Sequence, residues 1–247
     1  MDIRQYLDST YLKTATEAGL SEAANGEVVR NLVHEAIHGK FKLVMVRPNW
    51  VAMAKQMIAA ARSQVTVGTV IDFPLGNGSL SKKLAEAEQA ISNGADDLDF
   101  VLDYKAFKSG QAGIVKEQVL ECTRLGLGHG KIVKWIIEVA ALNDHEIVQL
   151  SALVKNVVLA NFDEADYARV FVKSSTGFYA TEEGKPNGAT ISTIKLMLEN
   201  AYPLPVKAAG GVRTYEEAVE MVTLGVKRIG TSSAKAIAEG GTAYGAY

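Results

Sequence analysis

Short runs of β-branched and apolar residues alternate along this chain with longer stretches whose apolar side chains recur every three or four positions. The short runs lie at Tyr6–Ser9, Lys42–Val46, Val65–Ile71, Asp97–Leu102, Ile132–Ile137, Val170–Lys173, Pro205–Ala208 and Val226–Gly230. Their length and the turn residues around them predict strands. Between them, Trp50–Arg62 carries Val51, Ala54, Met57, Ile58 and Ala61 on one stripe, and Ser79–Asn93 carries Leu80, Leu84, Ala87 and Ile91. Both read as amphipathic helices. Gly94 and Gly225 stand where a helix ends and the chain turns back toward a strand. Eight strands separated by helices predict an α/β fold closed into a parallel TIM (β/α)8 barrel. A doubly wound open sheet has the same alternation, but no G-x-G-x-x-G follows the first strands.

Strand parity then sorts the side chains, because alternate residues face opposite sides. Leu98 and Phe100 share one face of their strand, and Asp97 and Asp99 share the other. Val133, Trp135 and Ile137 form an apolar face, which sends Lys134 and Glu138 with Ile136 the other way. If the apolar faces meet the helices, the barrel interior receives Asp99, Lys134, Glu138, Lys173 and Lys207. Isolated buried charges are costly, so these five are expected to form a network.

The chain has 247 residues, 48% of them hydrophobic and 22% charged, with no Pro-rich or Ser-rich linker. That suits one barrel domain over residues 1–247, ending in a glycine-rich tail at 240–247 that is expected to be mobile. A net charge of −2 leaves no basic footprint for nucleic acid. The lone Cys122 cannot form an internal disulfide, and no run reaches the length of a membrane span. No membrane partner and a cytoplasmic location are therefore expected.

The chemistry concentrates after the late strands. Lys173 is followed by Ser-Ser-Thr-Gly177, and Lys207 by Ala-Ala-Gly210-Gly211. A single strand lysine more often snorkels to the surface, whereas two at inward positions call for a chemical reason. An amine in a low-dielectric site beside a second cation loses basicity and can attack a carbonyl to form a Schiff base. Gly210-Gly211, and Gly230-Thr-Ser232-Ser233 with a helix starting at Ser232 or Ser233, suit an anion such as phosphate after strands 7 and 8. A phosphorylated aldehyde or ketone anchored there would present its carbonyl to Lys173. Asp99 is placed to pair with Lys207 and relay protons. The imine nitrogen is the electron sink, so no cofactor is expected. His34, His38, His129 and His145 fall in helices or loops, and His34 and His38 lack a third convergent ligand, so no metal is expected either.

At these residues the chain resembles the deoxyribose-phosphate aldolase family, class I aldolases built on a TIM barrel. The resemblance runs through Leu7-Asp-Ser-Thr10, Asp72-Phe-Pro-Leu-Gly76, Asn93-Gly-Ala-Asp-Asp-Leu-Asp99, Lys134-Trp-Ile-Ile-Glu138, Val172 to Phe178, Lys207 to Arg213 and Gly230 to Ser233. It implies Lys173 as the Schiff-base lysine, Lys207 as the lysine that perturbs it and Asp99 as the motif acid. Phosphate contacts would fall on Gly177, Gly210, Gly211, Ser232 and Ser233. Apart from the resemblance, Lys134 and Thr176 are candidate accessory residues, and a mobile tail ending in the Tyr247 phenol could fold over the barrel mouth, exclude water and assist proton transfer at the enamine carbon. The implied substrates are a sugar phosphate, 2-deoxy-D-ribose 5-phosphate, and acetaldehyde; the family is commonly homo-oligomeric, as a dimer or tetramer. Other readings are an imine-forming barrel aldolase for a different phosphorylated sugar, and a catalytically silent sugar-phosphate-binding barrel. Met45-Val-Arg47-Pro48 stands where the family often has a C-V-N-P-like run, and 181–187 enlarges the loop after the sixth strand. Both departures bear on the choice of acceptor aldehyde.

Overall fold

The computed structural model describes residues 1–182 and 185–241. Tyr247 lies outside the described residues, as does most of the glycine-rich tail. Eight strands form one closed sheet in sequence order: β1 Leu7–Tyr11, β2 Leu43–Val46, β3 Thr66–Ile71, β4 Asp97–Val101, β5 Ile132–Ile136, β6 Val170–Lys173, β7 Val206–Ala209 and β8 Arg228–Thr231. Every neighbouring pair is parallel, and β8 closes on β1 through Leu7 opposite Ile229. This is the (β/α)8 barrel expected from the alternation of patterns, and closure excludes the open sheet.

The helices are α1 Ala15–Ala18, α2 Glu22–Gly39, α3 Val51–Ala60, α4 Leu80–Ser92, α5 Tyr104–Lys108, α6 Ala112–Gly128, α7 Asp144–Asn161, α8 Ile191–Ala201, α9 Tyr215–Leu224 and α10 Ala234–Ala238. Their ends follow local chemistry. Asn143 with Glu146, and Thr214 with Glu217, form reciprocal capping boxes, while Gly225 at φ +118° ends α9 in a conformation few side chains tolerate. Strand β1 begins one residue later than expected because Ile3–Tyr6 wind into a 3-10 turn capped by Asp2. Helix α4 falls within the expected stretch; of its apolar stripe Ala87 is buried and Leu80, Leu84 and Ile91 pack partly covered against the core, while Lys83 and Ala90 complete the buried line.

Parity sorts the barrel wall as expected. Leu98, Phe100, Val133 and Trp135 pack in the main core against the helices; Phe100 stacks on Trp135 with centroids 5.1 Å apart, and the indole donates to Thr123 Oγ1 at 3.0 Å. The opposite face divides into two halves. Leu12, Leu43, Met45 and Val70 form a separate apolar cluster on the β1–β3 side, and Phe73 and Phe178 cover it. The remaining interior is charged.

Candidate active site

Seven ionisable side chains fill the charged half. Asp99 from β4 accepts from Lys134 at Oδ1 (2.8 Å) and from both Lys173 (2.9 Å) and Lys207 (3.0 Å) at Oδ2. Lys134 also reaches Asp97 Oδ2 at 2.6 Å. Lys207 sits 2.6 Å from Asp8 Oδ2, an ion pair whose angles are not those of a hydrogen bond, and Arg228 spans Asp8 (2.7 Å) and Asp97 (3.2 Å). Strand register explains the convergence: Asp99 and Lys134 are direct partners across β4 and β5, and Lys173 and Lys207 across β6 and β7. Gly230 leaves the space the second lysine needs, since a Cβ there would come 3.1 Å from Lys207 Cε.

Charge bookkeeping over this cluster identifies its odd member. Fully ionised, it holds four cations (Lys134, Lys173, Lys207, Arg228) against three carboxylates (Asp8, Asp97, Asp99). One surplus positive charge in a buried cluster is unfavourable. It is relieved at Lys173, whose pKa falls to about 8: burial lowers it most, Asp99 opposes, and the Lys207 and Lys134 cations push it further down. Lys207 moves the other way. Burial disfavours its charge, but Asp8 and Asp99 overcome that and hold its pKa above the usual lysine value. The three ammonium groups around Asp99 more than offset its burial and keep it well below the carboxylate range. So held, Asp99 is a fixed anion and a weak base, which favours the ion-pair reading of this residue over proton relay.

Glu138 departs from the expected network. Strand β5 stops at Ile136, and Glu138 adopts a left-handed conformation at φ +58°, so parity no longer governs it. Its carboxylate accepts from the Ser175 hydroxyl (2.9 Å), the Thr176 amide (3.2 Å) and, very closely, the Thr176 hydroxyl. Burial raises its pKa against those hydrogen bonds and the nearby Lys173 charge. Thr176 is therefore tied to the turn after Lys173 rather than to the lysines.

That turn continues into Gly177 at φ +79°, whose amide donates to Ser175 Oγ at 2.9 Å. Gly210 and Gly211, at φ +80° and +95°, follow Lys207. Within the described residues the Gly210, Gly211 and Ser232 amides donate no hydrogen bond, which leaves three donors free at the ends of β7 and β8. Ser233 stands at the N-cap position of α10 without a side-chain capping hydrogen bond, and its own amide donates to Thr231 Oγ1 at 2.9 Å. The enlarged loop returns between the two glycine turns: Asn187 donates to the Gly177 carbonyl at 3.3 Å, and a Cβ on Gly188 would lie 2.4 Å from the Gly210 carbonyl. Arg47 lies over the rings of Phe73 and Phe178, 4.9 and 5.9 Å from their centroids, donates to the Leu12 carbonyl and pairs with Glu17. A cavity of about 300 Å³, lined by Lys13, Glu17, Gly177, Phe178 and Tyr179, opens beside the turn after Lys173.

The sequence pattern does not mark Asp8 and Arg228 as site residues and places Asp97 only on the inward face. The signal lies in their alternation: Asp8 with core Leu7, and Arg228 with core Ile229. Among the described residues no three His, Cys, Asp or Glu side chains are grouped to hold a metal ion, and no helix is long and apolar enough to cross a membrane.

A parallel barrel with two lysines on adjacent strands sharing one carboxylate oxygen defines the class. The family model described as DeoC/LacD family aldolase matches residues 10–245, and the chain belongs to that aldolase family. The deoxyribose-phosphate aldolase of Thermococcus gammatolerans is 38% identical over 241 residues, covering 97% of this chain and 96% of that protein. An aldolase structure designated QR15 superposes with a TM-score of 0.79 at 33% identity, covering 97% of this chain and 95% of the other. The tetrameric deoxyribose phosphate aldolase of Aeropyrum pernix superposes with a TM-score of 0.76 at 30% identity, covering 96% and 89%.

Proposed function

We propose that the protein cleaves 2-deoxy-D-ribose 5-phosphate reversibly to acetaldehyde and D-glyceraldehyde 3-phosphate through a Schiff base on Lys173. The observation that carries this reading is the burial of Lys173 in a cluster with one surplus cation, which lowers its pKa to about 8. At pH 7 an amine of pKa about 8 is roughly one-tenth unprotonated, against roughly three in ten thousand for an ordinary lysine.

The amine adds to the aldehyde carbon of the open-chain sugar, and loss of water leaves the imine. The hydroxyl on the third carbon gives up its proton to water, which later returns one to the enamine carbon; the bond between the second and third carbons breaks, and its electron pair moves into the enamine on Lys173. Glyceraldehyde phosphate leaves; protonation of the enamine carbon and hydrolysis of the imine release acetaldehyde. Lys207 and Lys134 hold Asp99 and keep positive charge near the developing imine, and the apolar wall of Leu12, Met45 and Val70 faces the methyl end. The phosphate is assigned to the turns of Gly177, Gly210, Gly211, Ser232 and Ser233, where the Gly210, Gly211 and Ser232 amides are free to donate to an anion. Thr176 shapes the first of these turns through Glu138.

We also place the protein in the cytoplasm as a single-domain homo-oligomer, a dimer or tetramer, to be measured by light scattering. Incubation with deoxyribose 5-phosphate and quantification of both aldehydes tests the reaction. Equal yields of acetaldehyde and glyceraldehyde phosphate are expected; turnover of ketose phosphates but not of this sugar would overturn the substrate assignment. Binding without any cleavage would return the silent-barrel reading.

A further inference from the structure

Lys83 lies outside the barrel, on α4, and is buried with no exposed surface at all. A buried lysine needs a full set of acceptors, and it has one. Its ammonium donates to Asp72 Oδ2 at 2.6 Å and to the carbonyls of Gly76 and Val101, each at 2.8 Å. Three protons meet three acceptors. Two of the acceptors belong to the loop after β3, and the third is the last residue of β4, two positions beyond Asp99.

The loop is bent around that ammonium. Asp72 sits at φ +52°, a conformation that a non-glycine side chain adopts only at a cost. Helix α4 grips it twice more, as Glu86 accepts from its amide at 2.7 Å and Lys82 reaches Oδ1 at 3.2 Å, and within the loop the Gly78 amide closes onto Oδ2 at 2.7 Å. The next residue, Phe73, covers the apolar half of the barrel mouth. Its ring meets Phe178 edge to face, 5.0 Å between centroids, under the Arg47 guanidinium. Phe178 follows the turn that begins at Lys173.

We propose that Lys83 is a positioning residue of the aldol reaction. It fixes the bent loop that lays Phe73 against Phe178, and so sets how tightly the mouth holds the sugar phosphate while leaving the reactivity of Lys173 unchanged. The inference rests on the aldolase reading above. Lys83 contacts none of the ionisable groups around Lys173, so its loss reaches the site through the backbone of the loop and the last residue of β4, not through the charge of the lysine cluster. In Lys83→Met no buried cation is left behind, and Asp72 retains Lys82 and the Gly78 amide.

The test compares full-length wild type, Lys83→Met, Phe73→Ala and the double variant, each checked for folding by circular dichroism. KM for deoxyribose 5-phosphate is measured beside the rate of borohydride trapping with acetaldehyde alone, which reports only the Lys173 amine. The expected result is a KM raised on the order of tenfold in Lys83→Met with trapping changed less than about twofold, since small misplacements around a site weaken binding without altering its amine. In the Phe73→Ala background the same substitution then adds little, because both act through one ring. An unchanged KM, or an effect that adds fully to that of Phe73→Ala, would overturn the proposal. If Lys83→Met does not fold, Asp72→Asn, which weakens the same grip, carries the comparison with the same criteria. A wild type that neither traps acetaldehyde nor cleaves the sugar overturns the aldolase reading itself, and this inference with it.

Discussion

Lys173 and Lys207 are direct partners across adjacent parallel strands, and their ammonium nitrogens reach the same oxygen of Asp99, at 2.9 and 3.0 Å. Equal access to that carboxylate does not make them equal. Lys207 has Asp8 as a second anion and holds its proton firmly, whereas Lys173 has only the shared oxygen and holds its proton less tightly, with a pKa of about 8.

Replacing Lys207 by Met removes one cation and balances three cations against three carboxylates with Lys173 charged. The Lys173 pKa then rises, and its trapping rate with acetaldehyde at pH 7 falls about tenfold for each unit of that rise. The pH profile of trapping checks this: the variant's curve is displaced to higher pH, and at high pH the rates of variant and wild type converge.

The lowered pKa of Lys173 also appears in folding stability. Its value is about 8 in the folded chain against an ordinary 10.5, so between those values the unfolded chain binds more protons and stability rises with pH. Below about 8 both states are protonated and the charging penalty is felt in full. The stability difference between wild type and Lys173→Met, followed by urea unfolding from pH 7 to 10.5, therefore moves in favour of wild type as pH increases.

Asp99 accepts from three ammonium groups and has no exposed surface. Asp99→Asn leaves four cations facing two carboxylates, and removal of one partner from a buried ion pair costs about 3–5 kcal/mol. Chemical denaturation at pH 7 is expected to show a loss of that order.

Gly188→Ala places a methyl group where the Gly210 carbonyl lies 2.4 Å away, and so displaces the turn assigned to phosphate. KM for deoxyribose 5-phosphate rises, while trapping with acetaldehyde, which carries no phosphate, stays near the wild-type rate. Measuring both on one preparation separates this from a general loss of folding.

The legible part of this molecule was the part governed by strand period. Alternation along β4 and β5 put Asp99 and Lys134 inside because a strand offers each side chain only two directions. The same rule failed at Glu138, where the strand had already ended and a left-handed residue turned the carboxylate toward Thr176. Asp8 and Arg228 depend on closure of β8 onto β1, a contact between residues 220 positions apart that no local pattern encodes. Lys83 was hidden for a different reason. It occupies the innermost line of an amphipathic helix, where a lysine reads as a surface residue until the Asp72, Gly76 and Val101 acceptors are brought to it. The motifs around Lys173 and Lys207 carried the resemblance, and the family to which the chain belongs agrees with it; the balance of charge that distinguishes the two lysines required the folded geometry.

The central claim is that Lys173 alone is the reactive amine. Wild-type protein treated with acetaldehyde and borohydride at pH 7, digested and mapped by mass spectrometry, puts it to the most direct test. A single ethylated lysine at position 173 is the predicted result; modification of Lys207 or Lys134 in its place, or no modification at all, would contradict it.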